Sequence, residues 1–144
     1  MKRFLLAVAL AGLTGGVVAA DAPGLPVTKA PAGAEVYLIS PKDGAIVGTE
    51  VTVQFGLKGM GVAPAGVKKE GTGHHHLLVD VKDLPAAGQP IPKDDQHIHF
   101  GNGQTETTLK LAPGKHTLQL ELADENHVPF EPAIVSKPIT ITVK

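Results

Sequence analysis

The sequence predicts an all-β domain, an antiparallel immunoglobulin-like β-sandwich of about seven or eight strands. Three observations carry that expectation. Apolar residues recur with period two in short runs, and Gly and Pro punctuate the intervals between them. Beyond the first twenty residues, no run has the length and 3.6-residue spacing of a helix. With 17 Gly and 12 Pro, the chain has a turn former for every interval, a density that long helices would not tolerate.

Residues 1–20 fall outside that domain. Lys2 and Arg3 form a basic start, Phe4 to Leu13 is an uncharged apolar run, and Val18-Ala19-Ala20 offers the small residues a signal peptidase reads. This pattern predicts a signal peptide cleaved after Ala20, hence a periplasmic or secreted protein with no stable membrane anchor after cleavage. A retained N-terminal anchor is the competing reading, although the apolar run is too short to span a bilayer. The chain has no cysteine, so no lipid can be attached at the cleavage site. Residues 21–34 hold Pro23, Pro26, Pro31, Gly24 and Gly33 without a period and read as a flexible leader. Residues 35–144 are the domain.

Its strands follow in order. Val36 to Ile39 is the first, and Ser40 to Gly44 is a turn. Ile46-Val47 is a short second strand. Val51, Val53, Phe55 and Leu57 alternate with Thr52, Gln54 and Gly56, the signature of a half-buried strand. Gly59 to Gly73 reads as a loop, His74 to Val81 as a strand, and the stretch to Gln96, with Pro85, Pro90 and Pro92, as another loop. His97 to Phe100 is short. Thr107, Leu109 and Leu111 alternate, Pro113-Gly114 turns, and His116, Leu118, Leu120 and Leu122 alternate again. Ile139, Ile141 and Val143 close the chain.

Composition excludes several partners. Loss of Lys2 and Arg3 with the signal peptide leaves the remaining basic residues outnumbered by 14 acidic ones, which argues against nucleic acid or an anionic membrane surface. Four Phe, one Tyr and no Trp are too few for an aromatic binding platform. Without cysteine there are no disulfides, so stability rests on packing and, where a metal binds, on the metal.

Five of the seven histidines lie in two clusters, His74-His75-His76 and His97-Ile98-His99. Neutral imidazole is the commonest protein ligand for zinc, copper and nickel. Successive side chains on a strand face opposite ways. Leu77, Val79 and Val81 mark the core side of the first cluster, so His75 faces the core, while His74 and His76 face away with Leu78 and Asp80. Ile98 and Phe100 mark the core side of the second, leaving His97 and His99 on the other. Two His-x-His pairs therefore form a candidate four-nitrogen site for a copper or zinc ion, with Asp80, Gln104 and Glu106 as acceptors that orient the rings. The bland alternative is a polar face of solvated histidines. His116 shares the phase of Leu118 and Leu120 and reads as a hydrogen-bonded core-edge residue, with metal ligation as its second reading. His127, in the loop from Ala123 to Glu131 near Asp124 and Glu125, reads as a loop residue and a weaker ligand candidate. Met60 reads as core filling.

Phe55 to Val62, Gly71-Thr72-Gly73-His74-His75-His76-Leu77-Leu78, His97-Ile98-His99-Phe100-Gly101-Asn102-Gly103-Gln104-Thr105-Glu106 and Leu111 to Leu118 together resemble a bacterial exported domain family of unknown function, number 4399 in its series. The resemblance covers roughly Val36 to Lys144. It implies a small periplasmic β-domain and brings no established activity.

Three functions compete. The first is a periplasmic copper- or zinc-binding protein acting in storage, buffering or delivery; oxidising surroundings and an all-nitrogen set favour Cu(II). The second is a metal-dependent oxidoreductase or hydrolase with three His ligands and an open position. No Ser-His-Asp or Cys-His arrangement and no phosphate-cradling loop is readable beside it. The third is a non-catalytic cell-envelope interaction module bound to a periplasmic protein, its histidines forming a rigid or pH-sensitive face.

Overall fold

A computed structural model describes residues 23–144. The predicted signal peptide, residues 1–20, and the first residues of the leader lie outside the described residues. In chain order the strands are β1 (Glu35–Ser40), β2 (Ile46–Val47), β3 (Glu50–Lys58), β4 (Gly61–Val62), β5 (Thr72–Val79), β6 (His97–His99), β7 (Glu106–Lys110), β8 (Gly114–Ala123) and β9 (Ile139–Val143). One sheet has the order β1-β3-β7; the other runs β2-β9-β8-β5-β4, with β6 also paired to β5. Pairing is antiparallel except in two two-residue parallel ladders, β2 with β9 and β4 with β5.

The period-two pattern explains why these sheets close on each other. Val51, Val53 and Phe55 of β3 face Leu118, Leu120 and Leu122 of β8 across one core that also holds Leu77, Val79, Phe100, Ile141 and Val143. Each large apolar side chain so buried contributes about 1.5–3 kcal/mol, which is how a chain without disulfides holds a sandwich. The all-β sandwich expected from the pattern is the architecture found.

Local boundaries differ. The stretch from Gly59 to Gly73, expected as a loop, contains β4, and β5 begins at Thr72 rather than His74. A ladder of two residues is too short to leave a periodic signal. β5 also stops before Val81: Asp80 takes φ 56°, a left-handed conformation that cannot continue a strand.

The larger difference concerns the outer face of the second sheet. Leu78, out of phase with the core, is nevertheless buried, as are Ala63, Ile91, Ala123 and Val128, all outside the main core. Ile134 to Ser136 runs beside β8 in the plane of the sheet: Leu122 N–H donates to Ile134 O at 2.9 Å and Ser136 N–H to Leu120 O at 2.8 Å, with Val135 paired to Glu121. Ile91 N–H donates to His127 O at 2.8 Å and ties the two long connections together. The side chains of β5 are buried on both faces. Leader residues also run along the domain: Leu25 N–H donates to Gly88 O, Ala30 N–H to Glu131 O and Glu131 N–H to Thr28 O.

Candidate metal centre

Alternation on β5 sends His74, His76 and Leu78 to the outer face and His75 to the core. Register does the next step: His99 of β6 stands opposite His76, and His97 opposite Leu78. Directly opposed residues share a face, so His99 meets His76 with ring centroids 5.1 Å apart. His74 lies 4.8 Å from His76 and 5.0 Å from His99. The fourth ring is His127, 5.0 Å from His74 and 4.7 Å from His99. One ring nitrogen each from His74, His76, His99 and His127 lies within 4.8 Å of the other three. Nitrogens bound to a tetrahedral zinc ion at 2.0–2.1 Å are about 3.3 Å apart, so the set is slightly wider than a closed site.

The loop presents His127 under tension. Asp124, 1% exposed, accepts the Asn126 and Val128 N–H groups on Oδ1 at 2.9 and 3.1 Å. Its Oδ2 accepts the Thr28 hydroxyl at 2.7 Å, and its carbonyl accepts the His127 N–H at 3.0 Å. These bonds hold His127 at φ 65°, a conformation costing an L-residue about 1–2 kcal/mol. Backbone strain of this kind needs surroundings that over-determine it, and the buried Asp124 carboxylate supplies them.

Burial disfavours the protonated form of three of these rings. Burial, reinforced by His127 and His99, pushes His74 down to about 4, with Asp124 opposing. Burial first, then His74, His99 and His127, pushes His76 to about 2. His99 is lowered by burial, His127 and Lys93. At neutral pH His74, His76 and His99 are therefore neutral, the state a metal requires. Two ring nitrogens, His76 Nδ1 and His99 Nε2, are buried without any hydrogen-bond partner. An orphaned buried polar atom costs about 1–3 kcal/mol, and an ion held by His99 Nε2 would remove that cost there.

Two of the sequence candidates stand elsewhere. His97 shares the outer face but lies one strand repeat from His99, and its Nδ1 is 2.8 Å from Asp94 Oδ1. That oxygen also accepts the Gln96 and His97 N–H groups. His116 bonds through Nδ1 to Asp80 Oδ2 and through Nε2 to Ala112 O, both at 2.8 Å. Both acceptors favour the imidazolium, and Asp80 raises its pKa most. His75 is fully buried against Phe55, with centroids 5.2 Å apart. Burial lowers His75 to about 4, and the Gln104 backbone opposes that shift without satisfying either ring nitrogen.

The expected orienting acceptors are also engaged away from the four rings. Asp80 serves His116 and Thr117 N–H, Gln104 Oε1 accepts Asn102 N–H, and Glu106 accepts from Gln54. Met60 packs at the edge of the core. One relevant group left no sequence signal. Glu121, opposite His76 in the β5–β8 register, is 0% exposed with neither oxygen hydrogen-bonded. Burial pushes its carboxyl up to about 7. On sequence phase it looks like an ordinary solvent-facing residue between Leu120 and Leu122, because nothing local announces the chain that covers it.

Comparison with known proteins adds a family and little chemistry. No curated protein matches the chain. Among solved structures, the fibronectin(III)-like modules of Clostridium thermocellum CbhA align at 15% identity with a TM-score of 0.40, covering 75% of this chain and 92% of theirs. Residues 53–144 match the family model described as a domain of unknown function, DUF4399. That span contains all four clustered histidines and most of both sheets, and the chain belongs to the DUF4399 family.

Proposed function

We propose that this is a periplasmic transition-metal-binding protein that holds one copper or zinc ion through His74, His76, His99 and His127, in storage, buffering or delivery. The observation that carries the reading is the convergence of four ring nitrogens within 4.8 Å, in surroundings where burial disfavours the protonated rings. An all-nitrogen set without thiolates suits Cu(II) above Zn(II) in the order of divalent affinities. Four protein donors around a tetrahedral ion leave no open position, and catalytic sites keep one. Carriage is therefore favoured over turnover.

Titration of metal-free protein with Cu(II) or Zn(II), followed by calorimetry, tests the reading. One equivalent binds the wild type, and a His76→Ala variant that still folds binds none. Absence of binding by the wild type at micromolar metal overturns it.

A further inference from the structure

We infer that Glu121 is a positioning residue of this site, the buried carboxylate that accepts the Nδ1–H of His76 when the other ring nitrogen holds the ion. The inference rests on the metal-binding reading above. A ligating imidazole uses one nitrogen for the metal, and the second must then donate its N–H to an acceptor that fixes the ring. His76 Nδ1 is buried and unpartnered. Glu121 stands directly opposite His76, which puts their Cβ atoms about 4.5–5.5 Å apart on one face.

Both Glu121 oxygens are buried and free of partners, whereas the nearby carboxylates are committed. Asp124 holds the His127 loop, Asp94 holds His97 and Asp80 holds His116. Packing alone gives no reason for an acid here. A leucine would fill a covered position on this face at no desolvation cost, and an unpaired buried carboxyl destabilises the fold. The four ring ligands are neutral, so a divalent ion would bring two uncompensated positive charges into this covered region. A carboxylate one residue-pair away offsets part of that charge. The two groups make no hydrogen bond in this structure; the pairing follows when the ion fixes the ring.

The test compares Cu(II) and Zn(II) affinity, coordination by X-ray absorption, and metal-free melting temperature for wild type, Glu121→Gln, Glu121→Leu and His99→Ala. The expected result is one equivalent bound by both Glu121 variants through an unchanged nitrogen set. Affinity falls about tenfold for Gln and up to about 100-fold for Leu, while the metal-free Leu variant melts higher than wild type. His99→Ala binds no metal. Wild-type affinity in both Glu121 variants, with binding lost in His99→Ala, overturns the role of Glu121 and leaves the histidine site standing. An oxygen ligand that disappears in Glu121→Gln also overturns it, since the carboxylate would then bind the ion directly. Full binding by His99→Ala overturns the site itself and this inference with it.

Discussion

His74 Nε2 and His127 Nδ1 lie 3.1 Å apart although 53 positions separate them in the chain. One proton bridges the two nitrogens, and that bridge ties β5 to the loop that follows β8. On the proposed metal-binding reading, an ion would take the place of this proton, and His127 would be the clasp that closes the cluster.

His127→Ala should therefore weaken metal binding by more than about 100-fold, beyond the loss that follows removal of an outer hydrogen-bond partner. Wild-type protein should melt higher with metal, gaining about 2.7 kcal/mol at a hundred times the dissociation constant, and the variant should not. Differential scanning calorimetry with and without metal reads both effects. An equal metal-induced shift in the variant contradicts the clasp.

His97→Ala and His116→Ala should retain one equivalent of metal, since their rings are bonded to Asp94 and Asp80 instead. His116→Ala should cost about 1 kcal/mol of stability through lost hydrogen bonds. Its pKa is raised in the folded state, so its contribution is full below 6.5 and lost as pH rises through the raised value. Urea denaturation of wild type and variant at pH 6 and pH 9 checks this; the difference between them should shrink at the higher pH.

The metal-free protein should lose stability as pH falls from 6.5 toward 4. In that interval the unfolded chain protonates His74, His75 and His76, whereas the folded chain holds them at about 4, 4 and 2. The unfolded state then binds more protons, and stability drops with pH. Glu121 acts in the opposite sense between 4.5 and about 7, as does the raised His116 above 6.5, but the three histidines, joined by the lowered His99, outweigh them. A melting temperature that stays level from pH 6.5 to pH 5 would contradict this balance.

Two glycines separate site from scaffold. A Cβ at Gly101 would stand 2.3 Å from His99 Cε1 and 2.7 Å from its Nε2. Gly101→Ala should push the ring aside and weaken metal binding at least about tenfold, the scale of a disturbed ligand orientation, with the fold intact. A Cβ at Gly73 would stand 2.7 Å from the Ala123 carbonyl oxygen, where backbone must yield. Gly73→Ala should cost about 1–3 kcal/mol as overpacking. Affinity and unfolding measured on both variants should move in these separate ways.

Much of this was legible in residue order. Alternation through Val51, Val53 and Phe55 and through Leu118, Leu120 and Leu122 announces the inner faces, and both runs line the core. Strand phase likewise places His74, His76 and His99 on the face opposite Leu77 and Ile98. The same phase admits His97 equally, and only the register that sets His99 against His76 separates the two. His127 carries no phase because it lies in a turn, and Glu121 looks solvated although the folded chain buries it completely.

Residue order by itself determined which way each strand side chain points, because alternation follows from the local geometry of an extended backbone. Tertiary structure alone decided which four imidazoles meet and that His74 and His76 are buried there. Register between strands and the path of covering loops depend on contacts between residues far apart in the chain, and no local pattern encodes them.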